Sequence, residues 1–574
     1  MSKFEFEGRV IKVDHFITGS GAAGALIANN LTACGKDQQS ALVVEAGSAN
    51  IHDKILNRME FNRIILSNLW NKYGWPGQSY NEPYAGNRNF FVPQTGLTLG
   101  GSTRINNGNA VKASVANLQQ WEELLGKFWS PERFYEAYKK LEHFHKAAGV
   151  GPTPDRGHHG PISVLQAPQS GPLPLDLDVF QAAREALGLP TIADYNNEKT
   201  PIGASLAQIF EEPNGIRSDA LKAFLGKDVI EPYKDFPETF RGVGERRKHL
   251  LVFARSRFQK IIWEGNKAVG AIFIREGISY EVRARVAVWI ENGFLSPQAL
   301  MVSGIGPRHV LEKAGIPVVY DNPHVGRHLT NHSVVPFSLP KNPLKVGTDP
   351  KNPGVTNTVV TWFPDPTGLV NQAQRGLQIH YQDALFPVPM VPDAPLFNIT
   401  PNPAILSGTM FQLYPWSKGY LKVDSTDIQK SPLVDYDYLE DTRDLNFWIQ
   451  TFKKIVAPLV RQLNANDPSY NISQLVPSLA VIENPDPTAL IAYIRNNVRQ
   501  THHGCGTTRM APRDKGGVVD KRGRVHGVEH VMSFDTSTLA FQPDGNNCFT
   551  VWAGALLISD WARKRGNVDR KCKP

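Results

Sequence analysis

Cysteine is scarce in this chain of 574 residues, which has four: Cys34, Cys505, Cys548 and Cys572. Their spacing matches neither a zinc site nor a disulfide framework, so no metal ligands are expected. No apolar run is long enough to cross a bilayer, and no membrane partner is expected. Met1 to Lys12 carries charges throughout and lacks the apolar stretch of a signal peptide; the expectation is an intracellular protein or a mature secreted form. Asn-x-Ser/Thr sequons stand at Asn30, Asn331, Asn398 and Asn471, near chance for this length, and they do not fix the compartment. Internal repeats, low-complexity blocks, helix-turn-helix signals and aromatic RNA-binding motifs are also missing. The net charge of +8 comes partly from Arg246-Arg247-Lys248 and the tail Arg563 to Lys573. A basic surface can attract polyanions, but these clusters read more simply as solvated faces, and a nucleic-acid partner is not expected.

What the chain has is an ordinary globular balance, 41% hydrophobic and 20% charged, with 48 glycines and 42 prolines that imply much irregular loop. It is too long for one core, so two or more domains are expected. The most informative stretch is Gly19-Ser20-Gly21-Ala22-Ala23-Gly24, between an apolar strand ending at Thr18 and a helix of small residues. In such a turn the first glycine permits the bend. The second lets backbone approach a pyrophosphate, and the third lets helix and strand pack closely. The helix N-terminus offers free N–H groups to phosphate. A second strand, Ala41 to Val44, ends at Glu45, about 20 residues past the last glycine, where an acid can bind ribose hydroxyls. Strand, helix, strand and acid in that order point to a dinucleotide.

Further along, Trp121 to Phe144 has helical periodicity interrupted near Ser130-Pro131. Leu250 to Ile290 is strand-rich. From 331 to 499 proline and alternating apolar patterns predominate, with strands at Gln378–Tyr381 and Gly419–Val423. The picture is a nucleotide domain assembled from separated segments, with an inserted sheet domain and a cleft between them.

Five motifs in order then resemble the glucose-methanol-choline (GMC) oxidoreductase family, and the resemblance covers nearly the whole chain. Besides the glycine turn these are Gly96 to Asn106 (GLTLGGSTRIN), Ser296 to Gly306 (SPQALMVSGIG), Pro415 to Gly419 (PWSKG), and the C-terminal run from His503-Gly504-Cys505-Gly506-Thr507 through Asp535 and Gly545-Asn546-Asn547 to Asp560. The resemblance implies a mixed α/β protein: a Rossmann-like FAD-binding domain (1–165, 225–330 and 500–574) with an inserted antiparallel-sheet substrate domain (166–224 and 331–499). It implies FAD contacts at Gly19, Gly21, Ala22 and Gly24 along the pyrophosphate and at Glu45 on the ribose. Gly101 and Asn106 would lie along the flavin, Val252 at adenine, and Asp535 and Thr550 nearby. Ile105 stands where some relatives carry a histidine bonded to FAD, so the flavin is expected to be non-covalent. Leu97, Arg104, Asn292 and Gly293 depart from the usual residues, and they bear on flavin affinity.

The implied chemistry is oxidation of a small-molecule alcohol, with flavin N5 as hydride acceptor and oxygen or another molecule as the final electron acceptor. His503, with an unperturbed pKa of about 6.5, suits the base; its neighbour His502 is the rival. Alignment on Thr550 makes Asn547 the partner that holds the substrate oxygen, and a one-residue bulge would give that place to Asn546. A histidine among small residues can equally be a core residue, and Gly545-Asn546-Asn547 can be merely a turn. Trp362, Phe411, Tyr414 and Trp416 are candidate substrate contacts, although aromatics bury readily. Two other readings keep the fold: an FAD-retaining lyase or cyclase without net redox, and a non-catalytic homologue in a virus particle that binds a polyanion. The alcohol and the oligomeric state are not legible.

Overall fold

The computed structural model describes residues 5–7, 9–33, 39–54, 56–57, 79–85, 88–91, 95–197, 201–233, 238–243, 247, 249–347, 358–385 and 400–566. Cys34, Cys572, Asn398, Arg246, Lys248 and the tail beyond 566 lie outside them.

Two large sheets organise the chain. The first has ten strands among the described residues, and its centre is parallel. Val10–Thr18 pairs in parallel with Ala41–Val44 on one side and with Ile278–Ile290 on the other. Leu250–Phe253 extends the parallel order beyond Ala41–Val44. Burial along Val10–Thr18 alternates up to Asp14 and is continuous from His15. The outer half is therefore covered on one face, and the inner half on both, as a central parallel strand requires. Ser256–Glu264, Lys267–Arg275 and Ile278–Ile290 form an antiparallel meander at one end.

Register decides the site. Thr18 lies opposite both Val44 and Ile290. Three parallel strands thus end level with one another, and the next residues, Gly19, Glu45 and Glu291, open onto one crevice, the usual ligand position in such sheets. The helix Ala22–Leu31 leaves that crevice with seven of its ten residues buried. Its small side chains let it lie against the sheet on one side and the C-terminal helix Cys548–Gly566 on the other.

The second sheet has eight strands, antiparallel except where Glu142–His145 joins Ile162–Ala167. Its order runs from Arg499–Gln500 through Ser333–Pro340, Ile405–Gln412, Leu377–Gln382, Val359–Phe363 and Gly203–Ile209 to those two strands. The helix Pro174–Leu187 packs on Gly203–Ile209 and Val359–Phe363. The expected division at residue 165 cuts the strand Ile162–Ala167, which pairs with Gly203–Ile209, so the second sheet begins earlier in the chain than the sequence reading placed it. The periodic stretch 121–144 contributes to two helices, Val115–Leu125 and Pro131–Leu141, separated where proline starts the second. Its last residues, from Glu142, turn into strand because they find a partner in Ile162–Ala167.

Candidate active site

A cavity of about 300 Å³ runs from the crevice of the first sheet to the edge of the second. At one end stands the glycine turn. Gly19 has φ +77°, and a Cβ there would meet the Glu291 carbonyl oxygen at 2.5 Å. A Cβ on Gly24 would lie 2.2 Å from the Gly19 carbonyl oxygen, so the third glycine lets helix and turn touch. A Cβ on Gly21 would meet nothing within 4 Å, because this glycine faces the cavity. No side chain caps the helix that Gly21 begins, which leaves its first N–H groups to a ligand.

Three carboxyl groups line this end. Glu45 accepts from the Ser20 N–H (3.1 Å), the Ser20 hydroxyl (2.7 Å) and the Gly47 N–H (2.9 Å). Burial nonetheless raises its pKa. Asp535 accepts four bonds: from the Gly293 N–H (2.8 Å), the Ser296 hydroxyl (2.5 Å), and the Ser537 N–H (2.8 Å) and hydroxyl (2.5 Å). Burial pushes it up to about 6. Glu291, which sequence reasoning missed, accepts only the Phe534 N–H, at 2.9 Å. Its Oε2 is buried without a partner, and burial together with the nearby Asp535 raises its pKa well above the usual carboxylate range.

At the other end, Thr501 to Gly504, Asn546, Asn547 and Phe411 line the cavity. The strand Arg499–Gln500 leads directly into His503, and Ser333 lies opposite Gln500 in antiparallel register. That register brings His332, just before Ser333, to His503. Their Nδ1 atoms are 2.9 Å apart, and His332 Nε2 lies 3.0 Å from the Pro543 carbonyl. A carbonyl only accepts, so His332 carries its proton on Nε2. Burial lowers the pKa of His332 to about 4 and keeps it neutral, so its Nδ1 is an acceptor. His503 must therefore donate from Nδ1. Burial, then His332, His502 and His380, hold the His503 pKa well below 6.5. A neutral His503 that donates from Nδ1 accepts at Nε2, where the Asn546 amide is its donor.

Asn546 Nδ2 lies 3.2 Å from that Nε2, and its own Oδ1 is buried without a partner. Asn547 is engaged differently: its Nδ2 donates to the His503 carbonyl (2.8 Å), and its Oδ1 accepts from Gln542 (3.2 Å). Asn546 thus faces the imidazole, while Asn547 braces the backbone behind it. The His503 N–H donates to Asn331 Oδ1 at 3.0 Å, which buries that sequon asparagine in the framework of the site.

Gly19, Gly21, Ala22, Glu45, Gly101, Asn106, His503, Asp535 and Asn547 all line the cavity. Gly24, Val252 and Thr550 do not. Gly24 packs behind the turn. Val252 lies between Val43 and Phe240 within the sheet, and Ser256 to Phe258 reach the cavity in its stead. The Thr550 hydroxyl bonds Tyr138 at 3.0 Å. Of the four aromatic candidates only Phe411 lines the cavity. Trp362 is fully buried, with the Arg375 guanidinium 4.5 Å from its ring, and the Tyr414 hydroxyl accepts from Asn117. Arg104 points away from the cavity, towards Asn57 Oδ1 (2.7 Å) and the Asn50 carbonyl (2.9 Å), so its bulk does not crowd a ligand. The Cys505 thiol is buried, donates to Gln542, and is pushed up to about 12, which suits a filler rather than a nucleophile.

Level strand ends, an uncapped helix and a long crevice that meets a histidine are the features of a dinucleotide-dependent enzyme. Two family models for GMC oxidoreductases match the chain, at residues 13–233 and 415–555, together more than half of it. The chain belongs to the GMC oxidoreductase family, whose members are FAD-binding flavoproteins. It is 26% identical over 572 residues to an oxygen-dependent choline dehydrogenase of Sinorhizobium medicae, with 93% of each chain covered. It is also 26% identical over 565 residues to an alcohol dehydrogenase (acceptor) of Pseudomonas putida, covering 93% of this chain and 92% of that one. A solved formate oxidase from Aspergillus oryzae shares the fold, with TM-score 0.80 at 20% identity, covering 97% of this chain and 99% of that one. Membership of this family makes the protein an FAD-dependent oxidoreductase.

Proposed function

We propose that the enzyme oxidises a CH–OH group with His503 as the base and Asn546 as the group that holds the substrate oxygen. The observation that carries this reading is the accepting Nε2 of His503, set by the His332–Pro543 relay and taking a hydrogen bond from the Asn546 amide at the cavity wall. A substrate hydroxyl that takes the place of the Asn546–His503 hydrogen bond donates its proton to Nε2, while the freed Asn546 amide donates to the oxygen as negative charge develops on it. His332 keeps the accepting nitrogen pointed at substrate, and Asn547 keeps the His503 backbone in place. Bound non-covalently in the crevice, FAD supplies the hydride acceptor, N5. Gly21, Ala22 and the free N–H groups of the helix Ala22–Leu31 would hold its pyrophosphate. Glu45, which already holds Ser20 and Gly47, would shape the turn against its ribose.

The test is the visible spectrum of the purified protein before and after anaerobic addition of aromatic, aliphatic and sugar alcohols. Bleaching by one class supports the reading and gives the substrate type. A flavin that no alcohol bleaches, while the protein accelerates a flavin-neutral elimination or cyclisation, overturns it in favour of a lyase or cyclase.

A further inference from the structure

Glu291 is a large acidic side chain beside the glycine turn, where Glu45 and Asp535 are the other carboxyl groups. It follows the central strand Ile278–Ile290, level with Gly19 and Glu45. It is 4% exposed and lines the cofactor end of the cavity. Asp535 is its acidic neighbour. The two carboxyl groups differ in their donors: Asp535 has four, and Glu291 has the Phe534 N–H alone. Negative charge therefore settles on Asp535 and a proton on Glu291. That proton belongs on Oε2, since Oε1 is already an acceptor, and Oε2 has no partner in the protein. An ionised Glu291 would repel a pyrophosphate; a neutral one has a hydrogen bond to give.

We propose that Glu291 enters the cofactor site as a neutral carboxylic acid and donates its Oε2 proton to an anionic oxygen of the pyrophosphate. The proposal rests on the FAD-binding reading. It explains how an acid is accommodated beside the glycine turn: the ligand supplies the acceptor that the protein withholds.

The experiment titrates FAD into apo-protein and follows flavin fluorescence, for the wild type, Glu291→Gln and Glu291→Ala, at pH 7 and pH 9.5. Glutamine stays neutral and can donate, so Glu291→Gln should bind within a fewfold of wild type. Glu291→Ala should bind about ten- to a hundredfold more weakly, the scale of one hydrogen bond to a charged acceptor. As Glu291 ionises with rising pH, wild-type binding should weaken more than that of Glu291→Gln. Asp535 and Glu45, the other carboxyl groups lining this end, are retained in both proteins, so the difference isolates Glu291. Equal affinity of Glu291→Ala and wild type overturns the proposal. So does tighter binding by both variants, which would mark Glu291 as an ionised repeller. If Glu291→Ala fails to fold, Glu291→Met, which keeps the bulk and has no proton to give, takes its place, and affinity equal to that of wild type overturns the proposal. A wild type that binds no FAD sinks the cofactor reading itself, whereas binding that is indifferent to residue 291 sinks only this inference.

Discussion

At the scale of single residues, neighbouring side chains in this site do different work. His503→Ala should keep fold and flavin absorbance and lose about 10²–10⁴-fold in turnover, the usual cost of removing a general base; stopped-flow reduction of the flavin measures it. Asn546→Ala should lower kcat with little change in melting temperature. Asn547→Ala should lower the melting temperature as well, because its amide holds the His503 carbonyl and Gln542. Thermal melts alongside kcat separate the two, and the reverse pattern would exchange their roles. The pH profile follows from burial. A base whose pKa lies below 6.5 keeps its lone pair as pH falls through 6.5, and the relay is lost only as His332 takes a proton, at about 4. The acid limb of kcat/KM should therefore lie well below pH 6.5. A limb at 6.5 would mean that His503 titrates as a free imidazole.

At the scale of elements, the glycine turn separates roles that its spacing only suggests. Gly24 makes no contact with the cavity, yet a methyl group there would sit 2.2 Å from the Gly19 carbonyl. Gly24→Ala should push the helix Ala22–Leu31 from the turn, cost about 1–3 kcal/mol of stability, and weaken FAD binding without touching the ligand. Gly21→Ala, open on its side, should leave the apo-protein's melting temperature unchanged and weaken FAD binding through the intruding methyl alone. Apo-protein melts with FAD titrations distinguish the pair. Strands that end in register are the deeper cause. Thr18, Val44 and Ile290 are level, so three residues far apart in sequence, Gly19, Glu45 and Glu291, share one crevice.

At the scale of the whole molecule, the active site exists because an edge of the second sheet meets the crevice of the first. His503 comes from one, the glycine turn from the other, and the helix Cys548–Gly566 begins between them. A ligand spanning both should stabilise them together: FAD at a hundredfold excess over its Kd should add about 2.7 kcal/mol, seen as a single melting transition moving upward. Two transitions, with only one moved by FAD, would show that the sheets unfold independently. Much of this was legible in the chain. Local features such as Gly19-Ser20-Gly21-Ala22-Ala23-Gly24, the strand run to Glu45 and the His503 motif carry their meaning in short stretches, because turn geometry and helix starts depend on adjacent residues. They determined the cofactor class and the family, and they singled out His503 as the candidate base. Glu291 and His332 carry no such signal, and the choice between Asn546 and Asn547 turned on one residue of register. Only the tertiary structure decided where these side chains lie and what they bond, because a hydrogen-bond partner depends on which distant strand lies alongside, and no local spacing encodes that.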